Sequence, residues 1–131
     1  MTPQTPPVPQ QQTLQLPTQG PGPLLIAGKT ASYQTGHGAA YAGDSLELLR
    51  ALPDASVNLV ATSPPYALHF KKSYGNVSKA DYVEWFKPFA SEILRVLTDD
   101  GSFVLNIGGS WNPGSPTRSL YHYKLLIALV E

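Results

Sequence analysis

The chain is 131 residues long and 42% hydrophobic, with nine basic and nine acidic side chains that balance to zero. It can therefore build one modest core, and it lacks the global basic signature of a nucleic-acid binder. With no cysteine, disulfides and thiolate metal sites are excluded, and His37, His69 and His122 have no ligand spacing, so no metal is expected.

No apolar run approaches the roughly 18 residues of a membrane span. The start lacks the basic-then-apolar pattern of a signal peptide. A soluble, cytoplasmic protein is the expectation.

Residues 1–23 hold seven Pro, six Gln and no charged side chain. Nothing there can bury enough apolar surface to offset ordering, so the segment reads as a disordered or polyproline-like tail, with a proline-rich ligand as the alternative. Residues 24–131 are the expected folded part. PLLIAG at its start fits either a short strand or a loop.

From Ala39 the pattern sharpens. AAYAG (39–43) is a strand candidate, and DSLELLRALP is a helix that Asp44 or Ser45 can cap, with Pro53 just past its end. SVNLVAT (56–62) reads as a buried strand and LHFKKSYGN (68–76) as a polar, basic loop. SKADYVEWFKPFASEILRVL (78–97) is an amphipathic helix. Ser78 and Asp81 have capping-box spacing. Tyr82, Trp85, Phe86, Phe89, Ile93 and Val96 or Leu97 share one face, so the aromatic residues belong to a core. Pro88 is expected to kink or split the helix. TDDG (98–101) reads as a turn, SFVLNIGG (102–109) as a strand, and RSLYHYKLLIALVE (118–131) as a helix.

Strand and helix alternate three times. That order predicts an α/β fold with a parallel sheet, in which chemistry sits at the carboxyl ends of the strands. GDS (43–45), TSPPY (62–66) and NIGG (106–109) fall at such ends. In TSPPY the Ser63 hydroxyl and the Pro64 carbonyl are acceptors on a stiff turn, because Pro64 and Pro65 hold φ near −65° and donate no N–H. Tyr66 adds a flat π surface. Acceptors beside a stacking ring suit the exocyclic amino group of a nucleobase.

Ser/Thr-Ser-Pro-Pro-Tyr/Phe after a hydrophobic strand resembles motif IV of the DNA amino-methyltransferases. The serine form is typical of cytosine-N4 enzymes, and adenine-N6 enzymes usually carry Asp-Pro-Pro-Tyr/Phe. The order AGDSLELLRALPDASVNLVATSPPYAL, KKSYGN, YVEWF, GSFVLNIGG and RSLY, across about residues 33–131, is similar to the amino-terminal half of the permuted cytosine-N4-specific enzymes of type II restriction-modification systems.

The resemblance implies a partial class I methyltransferase (Rossmann-like) sheet with flanking helices. It implies S-adenosyl-L-methionine as cofactor and double-stranded DNA as partner. Ser63, Pro64, Pro65 and Tyr66 would hold a cytosine flipped from the duplex. Asp44 either contacts the cofactor's adenine edge or simply caps a helix. Lys71 and Lys72, with Arg118, are candidates for DNA contact. Gly108 and Gly109 either let backbone approach a ligand or mark a turn.

The glycine-rich F-x-G-x-G loop of that family, and the acidic residue beyond it, are not found in this sequence. The expectation is a truncated or split enzyme, inactive without its carboxyl-terminal half. An adenine-N6 enzyme and a non-catalytic remnant or binding module are the competing readings.

Overall fold

The computed structural model describes residues 22–68 and 77–131. The expected disorder of the tail (1–21), and Lys71 and Lys72 in segment 69–76, lie outside the described residues. In chain order the elements are β1 (Tyr33–Gln34), β2 (Ala39–Ala40), α1 (Ser45–Arg50), β3 (Val57–Thr62), α2 (Tyr82–Val96), β4 (Leu97–Leu105) and α3 (Tyr121–Val130).

β3 and β4 pair in parallel, from Leu59 with Ser102 to Thr62 with Leu105, and α2 makes the crossover between them. This is the βαβ unit that the alternating pattern predicts. The expected parallel strand at 39–43 is a correction: Ala39–Ala40 pairs antiparallel with Tyr33–Gln34 in a separate two-stranded sheet. The local turn decides this. Thr35 Oγ1 accepts from the backbone N–H of His37 and Gly38 at 3.2 and 3.1 Å, and Thr35 N–H donates to the Gly38 carbonyl at 2.8 Å. These bonds fold the chain back on itself before it can join β3.

TDDG falls inside β4 rather than ahead of it. β3 advances two residues, Val57 to Leu59, while β4 advances five, Leu97 to Ser102, so the expected turn survives as an irregularity in the ladder. Gly101 permits it: a Cβ there would lie 2.9 Å from the Thr98 carbonyl oxygen. PLLIAG forms no strand; Ile26 is buried and its N–H donates to Tyr41 Oη at 3.0 Å.

Asp44 caps α1, its Oδ1 accepting from Leu46 and Glu47 N–H at 2.9 and 3.1 Å. The other end is closed from a distance. The Arg95 guanidinium on α2 donates to the Leu49 and Leu52 carbonyls at 2.9 Å each, adding to the Leu52 N–H bond that Leu49 already accepts at 3.0 Å. It also pairs with Glu92 at 2.7 Å and with Asp54. α2 runs through Pro88 as one helix. Its start is set by Ser78 and Asp81, which bond reciprocally: Ser78 Oγ donates to the Asp81 carboxylate at 2.7 Å and accepts from the Asp81 N–H at 3.2 Å.

The core lies where α2 meets α3 and the sheet. Ala67, Tyr82, Phe86, Ile93, Tyr121 and Leu125 are buried together, and Val60, Phe103 and Leu105 pack on them. Phe86 stacks over Phe103 at 6.5 Å, and Trp85 and Phe89 extend the aromatic row as expected. The opposite side of the sheet is open, with Leu59 57% and Val104 54% exposed. The backbone after β4 meets α3 closely at Gly109, where a Cβ would come within 2.6 Å of His122 Cε1 and 2.9 Å of the Ser119 carbonyl oxygen. At Gly108 the nearest atom, Tyr66 Cε2, is 3.9 Å away.

Two pairs of substitutions test this packing by urea unfolding. Phe86→Ala should cost about 3–5 kcal/mol, whereas Leu94→Ala on the exposed face of the same helix should stay within about 0.5 kcal/mol. Gly109→Ala should cost about 1–3 kcal/mol, and Gly108→Ala should be close to neutral. Equal costs within either pair would contradict the placement of α2 or of the 106–109 turn.

Candidate active site

Parallel pairing sends two segments out of the same edge of the sheet. Ser63–Tyr66 leaves the end of β3, and 106–109 leaves the end of β4, joined by a bond from Asn106 N–H to the Thr62 carbonyl at 2.9 Å. The helix start at Tyr121 reaches the same edge, since its hydroxyl donates to the Gly108 carbonyl at 2.6 Å. The structure thus brings together the serine, both prolines and the tyrosine singled out from sequence, with Gly108 facing the Tyr66 ring closely enough that an added Cβ would lie 3.9 Å from it.

The backbone carbonyls of this step divide sharply. Thr62 is bonded by Asn106 N–H, Pro65 by Tyr82 Oη at 2.8 Å, Tyr66 by Leu68 N–H at 2.8 Å, and Ala67 by Ser110 Oγ at 2.8 Å. Among the described residues, the Ser63 and Pro64 carbonyls and the Ser63 side chain have no partner, and Ser63 is exposed. Four anchored carbonyls hold these open acceptors in place. A proline-rich step suits this, because it supplies no N–H of its own to fill them.

Tyr82 anchors Pro65, and Tyr121 anchors Gly108 on the segment after β4. Their rings meet edge to face at 4.7 Å, and both phenols resist ionisation. Burial raises Tyr82 well above the usual tyrosine value, with Tyr121 and Tyr66 adding to the effect. Burial also raises Tyr121, partly offset by the Ala67 backbone, with Tyr66 adding again. Each therefore stays a neutral donor. The sequence placed Tyr82 on the buried face but showed nothing of its bond to Pro65; Tyr121 and Ser110 carried no signal beyond helix and loop.

The remaining candidates fall elsewhere. The expectation that Asp44 sits on a neighbouring parallel strand end is corrected: β2 is not part of that sheet, and Asp44 spends Oδ1 on the α1 cap. Gly109 is required by His122 and Ser119 of the chain itself. His122 Nδ1 is buried without a hydrogen-bond partner among the described residues. Arg118 is exposed, with its guanidinium 5.0 Å above the Trp111 ring. No cluster of metal-ligating side chains occurs among the described residues, and no helix there is long and apolar enough to cross a membrane.

Known proteins share this arrangement. A family model described as DNA methylase matches residues 57–129. The type II methyltransferase M.PvuII of Proteus hauseri is 46% identical over 119 residues, covering 91% of this chain and 35% of that protein. M.SfiI of Streptomyces fimbriatus is 45% identical over 78 residues, covering 56% of this chain and 18% of that protein. The solved structure of the PvuII DNA methyltransferase (cytosine-N4-specific) matches with a TM-score of 0.68 and 48% identity, over 79% of this chain and 36% of that one. The chain thus spans about a third of the length of M.PvuII, and its βαβ unit is part of the class I methyltransferase fold. With the family model spanning more than half of its residues, this chain belongs to the DNA methylase family.

Proposed function

We propose that the chain carries the base-holding part of a site-specific DNA methyltransferase that acts on the exocyclic N4 amino group of cytosine in duplex DNA, protecting it from a cognate restriction enzyme. The observation that carries this reading is the pair of open acceptors, Ser63 Oγ and the Pro64 carbonyl, in a run where the Thr62, Pro65, Tyr66 and Ala67 carbonyls are bonded. An amino group has two N–H donors and needs two acceptors. In a nucleobase its lone pair is delocalised into the ring. Bonds to Ser63 and Pro64 draw that lone pair out of conjugation and aim it, and the Tyr66 ring stacks on the base. Catalysis on this plan is positioning and electrostatics.

S-adenosyl-L-methionine supplies an electrophilic methyl group when bound. Asp44 is the residue proposed to meet its adenine, through the carboxylate oxygen that the α1 cap does not use. One such bond is worth about 0.5–1.5 kcal/mol, against roughly 8 kcal/mol for micromolar affinity. Further polypeptide is therefore needed to hold the cofactor. The share of M.PvuII that the chain spans and the open side of the sheet support this, since parallel sheets are normally covered on both faces. Lys71, Lys72 and Arg118 are proposed to face DNA phosphates.

Calorimetry with S-adenosylmethionine should show no micromolar binding by the 131 residues alone, and binding once the remainder of a relative's length is added as a second polypeptide. Micromolar binding by the chain alone would show that the cofactor is held within it. In that completed enzyme, Ser63→Ala should lower turnover on the order of tenfold with DNA affinity little changed. Tyr66→Ala should cost about 1–3 kcal/mol of base binding. Nucleoside mass spectrometry of the product should show N4-methylcytosine. N6-methyladenine would move the assignment to adenine, and unchanged turnover in Ser63→Ala would remove Ser63 from the mechanism.

A further inference from the structure

Among the described residues, Lys29, Arg50, Lys87 and Arg95 each pair with a carboxylate. Lys79, Arg118 and Lys124 do not, and all three line one cleft of about 390 Å³. The residues lining it include no Asp or Glu, and neither do the sequence segments 1–21 and 69–76. A chain with zero net charge has gathered its unpaired described cations in one place.

The donors in the cleft are open. Lys79 Nζ gives two of its three protons to the Trp111 carbonyl at 2.6 Å and Asn112 Oδ1 at 3.2 Å, leaving one. Arg118 lies over the 55% exposed Trp111 ring, and its guanidinium makes no hydrogen bond among the described residues. Lys124 is exposed and has none from its ammonium.

The cleft is also fixed relative to the base-holding step. Trp111 and Arg118 form a bridge that closes loop 111–118, which Asn112 N–H ties to the Thr117 carbonyl at 3.0 Å. Ser110 fastens the loop to the Ala67 carbonyl. Tyr121 lines the cleft and contacts the Tyr82 ring that holds Pro65.

We propose that Lys79, Arg118 and Lys124 form a phosphodiester-binding cleft that holds the nucleic-acid backbone beside the Ser63–Tyr66 step. It rests on the reading of that step as a base site and adds Lys79 and Lys124 to Arg118 as one built site for the backbone. Cations next to an exposed indole are the combination that recognises a sugar-phosphate chain with bases attached, rather than a free anion.

Fluorescence anisotropy of the 131-residue chain with a labelled DNA duplex, from about 50 to 200 mM salt, measures the slope of log K against log salt. Lys124→Gln and Arg118→Gln should each lower the slope by about 0.9. Lys87→Gln, whose ammonium already pairs with Glu84, should leave it unchanged. Circular dichroism on each variant controls for folding, and Lys124→Gln is decisive because that ammonium supports no contact in the fold. Unchanged slopes in both variants, absence of duplex binding by the chain, or binding of inorganic phosphate without binding of duplex would each overturn the proposal. The readout needs neither cofactor nor methyl transfer. Shifted slopes together with a failed methylation assay of the completed enzyme would therefore count against the base site and not against the cleft.

Discussion

The bond from Tyr82 Oη to the Pro65 carbonyl is the contact on which the site depends. Two adjacent prolines cannot knit themselves into a ladder, because neither donates an N–H. Without an outside donor the step after β3 would have no fixed relation to the sheet. Tyr82 supplies that donor from the first residue of α2, and its ring is wholly buried among the residues that pack α2 against α3. The geometry of the exposed step is thus set by the packing of the core. Burial keeps the phenol protonated and so preserves the bond.

Because α2 also connects β3 to β4, the same helix determines which edges meet. Parallel pairing brings the ends of both strands to one side, and the Asn106 bond to Thr62 holds them there. Ser110 then binds the loop beyond β4 to the segment after β3, while Tyr121 holds Gly108 and meets the Tyr82 ring. Anchors on three sides leave Ser63 and Pro64 as the exceptions. In a folded chain, unpaired acceptors at a strand edge are the groups available to a ligand.

The uncovered surfaces follow from the small sheet. Two parallel strands with helices packed at Val60 and Phe103 leave Leu59 and Val104 facing outward, and α3 likewise leaves Leu126, Ile127 and Val130 exposed. In relatives about three times as long there is more chain to bury such surface. The charged surface is organised differently. Four described cations are neutralised by carboxylates on α1 or α2, and the other three border the loop that Ser110 ties to the site.

Local pattern by itself determined the βαβ core of this protein. A hydrophobic strand, an amphipathic helix with an aromatic face and a second strand ending in two glycines were legible because each is written in neighbouring residues, and TSPPY stood out as a rigid, donor-poor step at a strand end through residue types alone. Asp44 as a cap was legible for the same reason. Tertiary structure decided what depends on residues far apart in the chain. Tyr82 and Pro65 are separated by 17 positions, Ser110 and Ala67 by 43, and Arg95 and Leu49 by 46, and no periodicity encodes such partners. The misread strand at 39–43 has the same origin. Its composition allowed a place in the parallel sheet, but the turn held by Thr35 offers a nearer partner, and a short loop costs less entropy to close.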